Sequence, residues 1–388
     1  MKGAVRKRGD TWSYYFNLGL IDGKRKKKEK GGFKTKKEAE KALRDAISEF
    51  EKGYIEPTKV NFTSVSTQWL EEYIKPLRKI TTYSRYKEMN KKYLIPYLGF
   101  KEINKITALD IERMLLDIKK NNISDTTLQG IYTLCNSIFE RSIKLHLIQN
   151  NPCKGVERPQ RNKKQTDVLE VEEIPLLIKT LDLENEYDYM FYVAFRLTLE
   201  LGLRRGELAG LTWEDISYGE NVVSIHNNLI YNYGHTYMET TKTKGSTRTI
   251  YVSNELLEML TQLNKRQEFK KNEYGEFYEN NIFNDKSYDL VMRWDNGKYI
   301  HPMYYTNKIK KVVAAAGIDK TIRFHDLRHT NATLLIQQGV DFKTVQTRLG
   351  HEDINTTLNI YAHVNKEMQK NATEKLNNIF GGKLVAKK

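Results

Sequence analysis

The chain carries His325-Asp326-Leu327-Arg328-His329, then Leu349-Gly350-His351, then Ile360-Tyr361, with the tyrosine ten residues beyond His351. Upstream, Leu201-Gly202-Leu203-Arg204-Arg205-Gly206-Glu207 supplies a further arginine. These residue types suit one task. Arginine offers a planar fork of donors to two oxygens of a phosphate and stays charged at any working pH. Histidine gives or takes a proton near neutrality. Tyrosine can attack phosphorus and hold it covalently. Together they point to an enzyme that cuts DNA through a phosphotyrosine.

The residues Gly202 to Leu208, with Leu211-Thr212-Trp213-Glu214-Asp215, resemble the first signature box of the tyrosine recombinases. His325 to His329, with Leu349-Gly350-His351 and Tyr361, resemble the second, in matching order and spacing. Leu201 departs from the pattern, which often has Thr before the glycine; it is expected to pack behind the arginine. The whole chain resembles the three-domain integrases of temperate phages and conjugative transposons. The resemblance implies a multidomain α+β fold: a small N-terminal three-stranded sheet plus helix, a helical core-binding bundle, and a mainly α catalytic domain with a small β-sheet. It also implies strand cleavage and rejoining through a 3′-phosphotyrosine and a Holliday junction, integrating and excising a mobile element. No cofactor and no metal are expected. The implied partners are double-stranded DNA at crossover and arm sites, a homotetramer on DNA, and an excisionase or host DNA-bending protein.

Carried over residue by residue, the resemblance makes Tyr361 the nucleophile. Arg204 and Arg328 clamp the non-bridging oxygens. Arg205 is adjacent, but the Gly-x-Arg-x-Gly-Glu frame selects Arg204. His325 acts on the tyrosine proton and His351 hydrogen-bonds the phosphate. Lys242 is the acid for the 5′-oxygen; Lys244, two residues on, is its rival, and the Thr-Lys-Thr frame favours Lys242. Glu207 follows Arg204 by one helical turn and is expected to orient an arginine or histidine. His325 and His329 also have the spacing of helical zinc ligands. Asp326 stands where a metalloprotease needs Glu, and Arg328 between the histidines repels a cation. Alternatives of other classes are a type IB topoisomerase, a catalytically silent DNA-binding protein, and a transcription factor built on the N-terminal sheet.

Composition agrees with a nucleic-acid partner. The 388 residues leave room for two or three domains, and the net charge is +15. The surplus is dense at the start: residues 1–60 hold 17 Lys or Arg against 9 Asp or Glu. The two cysteines, Cys135 and Cys153, lack metal-ligand spacing and read as buried free thiols of a reducing cytoplasm. No apolar run is long enough for a membrane span, and the first residues lack a signal core. A cytoplasmic, nucleoid-associated bacterial protein is expected.

Residues 1–57 read as an arm-type DNA-binding domain. Trp12 to Leu18 is rich in strand formers, Asp22-Gly23 suits a hairpin, and Lys24 to Lys30 makes a basic second strand. Thr35 and Glu38 stand at capping-box spacing before a helical repeat of Ala39, Leu43, Ala46, Ile47 and Phe50. A basic sheet with exposed aromatics can lie in a major groove. Arg6, Lys7, Arg8, Lys24, Arg25, Lys26, Lys27 and Lys28 are the candidate DNA contacts. Gly53 to Asn61 reads as a linker. Residues 62–157 read as the core-binding helical domain, with Thr107 and Asp110 opening one helix and Ser124 to Leu145 forming another. Residues 158–166 form a basic linker and 167–380 the catalytic domain. There, Val222 to Ile225 and Arg248 to Val252 read as strands on either side of a basic turn at Thr241 to Ser246. Residues 365–380 form an amphipathic closing helix expected to pack on a neighbouring protomer.

Overall fold

The structure, a computed structural model, describes residues 3–21, 24–51, 60–161, 167–240, 247–350, 373–374 and 376–377. The chain divides into two compact units, Met1–Lys163 and Lys164–Lys388.

The first unit opens with three antiparallel strands in the order β1-β2-β3: β1 Gly3–Arg8, β2 Thr11–Ile21 and β3 Lys24–Phe33. Helix α1, Lys36–Glu51, backs the sheet. Its start is fixed locally: the Glu38 amide donates to Thr35 Oγ1 at 3.2 Å, and the Thr35 amide donates to Glu38 Oε2 at 3.3 Å. Alternation along β2 sends Tyr14 and Phe16 inward against Leu43 and Ala46. This differs from a sheet that exposes its aromatics, because a module this small needs those rings for its core. Tyr15, half-buried, stays on the face away from the helix.

The rest of this unit is helical: α2 Phe62–Gln68, α3 Lys75–Leu77, α4 Ile80–Met89, α5 Ile95–Leu98, α6 Ala108–Lys120 and α7 Asp125–Lys144. Wide-turn stretches at Trp69–Ile74 and Asn90–Leu94 join α2 to α3 and α4 to α5. Each precedes a proline, Pro76 or Pro96, by two residues. Proline removes a donor and crowds the carbonyl four residues back, and widening the turn relieves both. Thr107 and Asp110 form a reciprocal capping box on α6, and Ser124 caps α7. The core runs from Phe62 through Leu94, Ile111 and Leu134 to Phe139. Cys135 and Cys153 are buried free thiols.

The second unit holds α8 Glu173–Lys179, α9 Glu186–Leu201, α10 Arg205–Ala209, α11 Asn254–Tyr274, α12 Met303–Ala315, α13 Asp326–Gln337 and α14 Phe342–Leu349. Helix α9 is apolar around most of its circumference, which marks a central helix. Phe191, Val193, Ala194, Phe195 and Leu197 are almost wholly buried, and α11 and α13 pack against the helix. A small sheet has the order β4-β5-β8, with β4 Ile216–Ser217, β5 Val222–Ile225 and β8 Arg248–Tyr251. Two hairpins not anticipated from sequence accompany it: β6 Asn227–Asn232 with β7 His235–Thr240, and β9 Asn281–Phe283 with β10 Lys286–Tyr288. The first turns on Tyr233 and Gly234, both at positive φ, the backbone that a two-residue hairpin turn needs. The basic turn at 241–246 lies outside the described residues, as does the closing helix apart from residues 373–374 and 376–377, which are helical. No helix among the described residues is long and apolar enough to cross a membrane.

Candidate active site and nucleic-acid face

Two left-handed glycines build the floor of the candidate site. Gly202, φ +63°, ends α9, and Gly350, φ +64°, ends α14. A Cβ on Gly202 would lie 2.2 Å from Leu349 Cδ2, so the helix ends meet where only glycine fits. Helix C-termini leave carbonyls unpaired and carry partial negative charge. Arginines fill that need. Arg328, on the first turn of α13, donates from Nη1 to the Gly202 carbonyl at 2.6 Å and from Nη2 to the Leu349 carbonyl at 2.5 Å. Arg204 donates from Nη2 to the Gly350 carbonyl at 2.8 Å. Asn331, one turn after Arg328, donates to the carbonyls of Leu199 and Glu200 and seals the end of α9.

Glu207 organises the guanidinium groups. Its carboxylate accepts from Arg204 Nη1 at 2.6 Å, from the Arg204 amide at 2.9 Å, and from Arg248 Nη1 and Nη2 at 3.2 and 2.8 Å. Arg328 Nη1 is 4.0 Å away. Burial pushes the Glu207 carboxyl pKa up, but the hydrogen bonds and charges of Arg248 and Arg204 outweigh it and hold it at about 2. Burial, then the charge of Arg204, pushes Arg328 down to about 9, so it remains protonated at neutral pH. Arg205 points elsewhere, donating to Thr306 Oγ1 at 2.8 Å. Gly206 lets α10 press on β6, because a Cβ there would lie 2.0 Å from Asn228 Oδ1.

Arg248 was given no role in the sequence reading. It lies on β8, where Arg248 and Ile250 face inward and Thr249 and Tyr251 outward. An arginine on the apolar face of a two-residue alternation is the signal that marks it. Its Nε also donates to the Arg348 carbonyl at 2.7 Å.

His325 immediately precedes α13, and its ring meets His329 edge-on with centroids 5.1 Å apart. Crowding by protein, then the charges of His329 and Arg328, pushes its pKa down from 6.5 to about 4. The residue keeps an exposed surface at the edge of the cluster. Burial likewise pushes His329 down. Buried Asp326 is saturated by Arg323, which donates to it from its amide, Nε and Nη2. The structure thus brings Arg204, Glu207, Arg328 and Arg248 together. Lys242, Lys244, His351 and Tyr361 lie outside the described residues.

The N-terminal sheet carries a second cluster on its open face. By register Arg8, Arg6, Tyr15, Glu29 and Lys27 share that face. Arg6 Nη2 donates to Glu29 Oε1 at 2.6 Å, and Arg8 and Lys27 lie 3.4 and 3.5 Å from the same carboxylate. Arg6 reaches from β1 to β3 over the small Ser13 of the middle strand, about 10 Å across two strand spacings. Lys27 Nζ sits 4.2 Å from the Tyr15 ring centre and the Arg6 guanidinium 5.4 Å. Lys7 pairs with Trp12 and Lys28 with Phe16, so both start from the opposite face. The side chains of Lys24, Arg25 and Lys26 lie outside the described residues.

Comparison with known proteins adds three domain matches: the phage integrase family model over residues 167–368, an arm DNA-binding domain over 4–50, and the N-terminal SAM-like domain of phage integrases over 61–118. A tyrosine recombinase described as XerC-like, from Caldanaerobacter subterraneus subsp. tengcongensis, is 29% identical over 365 residues, covering 89% of this chain and 90% of the relative. The fold is similar to that of the Tn1549 transposon integrase solved with transposon right end DNA, at TM-score 0.69 and 20% identity over 82% of this chain and 99% of that one. It is also similar to lambda integrase solved as a tetramer bound to a Holliday junction, at TM-score 0.57 and 15% identity over 92% and 94% of the two chains.

Proposed function

The chain belongs to the phage integrase family, and we propose a division of labour among its residues for the reaction of a site-specific tyrosine recombinase, the breaking and rejoining of DNA strands. The Tyr361 oxygen attacks the scissile phosphorus. The bond from phosphorus to the 5′-oxygen breaks, a 3′-phosphotyrosine forms, and the tyrosine proton passes to His325. Lys242 protonates the departing 5′-oxygen. In the second half, a 5′-hydroxyl of the partner strand gives its proton to Lys242 and attacks the phosphotyrosine; the bond from phosphorus to the Tyr361 oxygen breaks, and His325 returns a proton to that oxygen. The ester conserves the bond energy, so no ATP is consumed. His325 is neutral at pH 7, its pKa being pushed down by burial, so a ring nitrogen is free of a proton to accept one. Arg204 and Arg328 hold the two non-bridging oxygens, each through the second N–H of a terminal nitrogen already anchored to a carbonyl. Arg328 presents almost no surface, so contact with phosphate requires it to become uncovered. His351 completes the phosphate contacts.

The observation that carries this reading is the charge balance of the cluster. Three guanidinium groups, Arg204, Arg248 and Arg328, gather on one buried carboxylate, Glu207, and leave positive charge that a phosphate would match. The test is covalent trapping on a nicked duplex. Tyr361→Phe removes one oxygen, so binding persists and the adduct is lost; an adduct that persists moves the nucleophile elsewhere. Lys242→Ala slows cleavage, and a 5′-bridging phosphorothiolate, whose sulfur leaves without a proton, restores it. Rescue of Lys244→Ala instead assigns the acid to that residue.

DNA is the substrate. Residues 1–57 take arm sites, 62–157 grip the core site, and 158–166 link them to the catalytic domain at 167–380. Four copies act on paired duplexes of a mobile element, as the similarity to a Holliday-junction tetramer supports. Residues 365–380 pack on the neighbouring copy, and an excisionase or host DNA-bending protein assists. Truncation after Val364 then weakens synapsis while half-site binding survives; unchanged synapsis returns the tail to its own domain.

A further inference from the structure

The open face of the N-terminal sheet has a feature that a plain phosphate grip does not need. Glu29 stands among Arg6, Arg8 and Lys27, within 2.6, 3.4 and 3.5 Å of their nitrogens. A surface that bound phosphate alone would gain by losing this carboxylate, because it repels an anion from the spot where the cations converge. Glu29 also fixes geometry. It takes one Nη2 hydrogen of Arg6, while Arg6 Nε, shielded from water, has no hydrogen-bond partner among the described residues. The carboxylate thus fixes one corner of the fork on the open face of the sheet.

We propose that Arg6 and Glu29 act as a unit that reads one G·C base pair in the major groove, with Glu29 as the specificity-determining residue of the sheet. A guanine edge presents two acceptors, N7 and O6, which match an arginine fork. The cytosine paired with it presents an N4 donor beside O6, and a carboxylate accepts from it. A phosphate matches the fork equally well but meets the charge of Glu29. An adenine edge gives the fork one acceptor, N7, and sets the N6 donor against it where guanine has O6. Tyr15, flanked by Lys27 and Arg6, walls the unit, and Arg8 lies beside it. The inference rests on the reading of residues 1–57 as a DNA-binding domain and names what the domain reads.

The test uses the full chain. Duplexes are selected from a random library, and wild type is compared with Glu29→Gln and with a triple variant, Arg6→Ala, Arg8→Ala and Lys27→Ala. Glu29→Gln keeps size and one acceptor oxygen and removes the charge. It should bind random duplex several-fold more tightly, lower the selected-to-random affinity ratio about tenfold, and blur one G·C position of the selected motif. A wild-type ratio with an intact motif overturns the inference, as does blurring confined to A·T positions. If the triple variant binds the selected duplexes as tightly as wild type, the DNA-binding reading of the sheet fails instead. Thermal melting of each variant separates lost recognition from lost folding.

Discussion

The chain builds the same motif twice, a single carboxylate among three cations, in opposite surroundings. In the integrase-family domain Glu207, Arg328 and Arg248 are 2%, 2% and 5% exposed, while Arg204, at 38%, keeps one side in solvent. On the N-terminal sheet Glu29 is 28% exposed and its partners Arg6 and Lys27 about 40%. Burial decides what each motif can do. Inside, charges lose their water, so every donor must be matched and the cluster becomes part of the architecture. Glu207 ties the start of α10 to β8, and Arg328 ties the end of α9 to the end of α14. Outside, water screens each charge, and the pairs add little to stability while shaping what can approach. The buried cluster suits the proposed phosphate clamp, which has to hold its geometry; the open one suits the proposed contact with DNA, for which its partners are exchanged.

The largest expected effect falls on the buried side. Arg204→Ala and Arg328→Lys should each slow cleavage by about 10²- to 10³-fold, on the scale of losing one oxyanion donor, while half-site binding changes far less. Arg6→Lys on the sheet should leave cleavage of a core duplex unchanged. Single-turnover cleavage beside gel-shift binding checks both. Near-normal cleavage by Arg328→Lys would dissolve the distinction.

Next comes stability. Glu207 has a folded pKa of about 2 against an ordinary 4.5, so its contribution is complete above about 4.5 and is lost as pH falls toward 2. The difference corresponds to roughly 3 kcal/mol. Glu207→Gln should lower the unfolding free energy at pH 7 by about that amount, in line with breaking a buried pair. It should also remove the corresponding part of the acid sensitivity. Urea melts between pH 7 and 3 measure both. A variant as stable as wild type at pH 7 would mean that the network is decoration.

How far the sequence foretold these clusters follows from the range of the forces. Signals written within four residues were legible: the Thr35 and Glu38 capping box, its counterpart at Thr107 and Asp110, and the glycines that flank Arg204. The fold class was legible through the two signature boxes. Arg248 was not, because its partner lies 41 residues away and only the sheet brings them together. Nor was the division of aromatics on β2. Trp12, Tyr14, Tyr15 and Phe16 are equally apolar in a string of letters, and strand register alone sends Tyr14 and Phe16 to the core and leaves Tyr15 beside Lys27. The β6–β7 hairpin hides in a polar stretch whose turn, Tyr233-Gly234, shows itself through positive φ.

A smaller effect concerns the proton. His325 should titrate well below the ordinary histidine value in the DNA-free protein, since its pKa is pushed down toward about 4. The folded state then resists protonation, so any stabilising contribution is complete above about 6.5 and is lost as pH falls toward 4. Its neutral ring at pH 7 is the form that the proposed transfer of the tyrosine proton requires. Imidazole carbon shifts followed by NMR give the midpoint. A midpoint at or above 6.5 would place His325 on the screened side of the comparison, with the sheet residues, and would favour it as an acid.

The smallest expected effect is the sharpest test of the contrast. Glu29→Gln should leave the melting temperature unchanged, although Glu29 has as many cationic neighbours as Glu207. Its carboxyl is held below the usual carboxylate range by the Arg6 hydrogen bond, yet solvent surrounds the pair. Its loss frees Arg6 to rejoin water instead of stranding a buried charge. The Tyr14, Phe16, Leu43 and Ala46 core beneath, which holds the sheet on α1, is untouched. Differential scanning calorimetry of Glu29→Gln and Glu207→Gln side by side reads the difference. A clear drop for Glu29→Gln would show that the sheet depends on its charge cluster as the catalytic domain does, and exposure would no longer separate the two. An unchanged melt joined to a changed DNA preference would show that the same four-residue chemistry serves structure where it is buried and selection where it is wet.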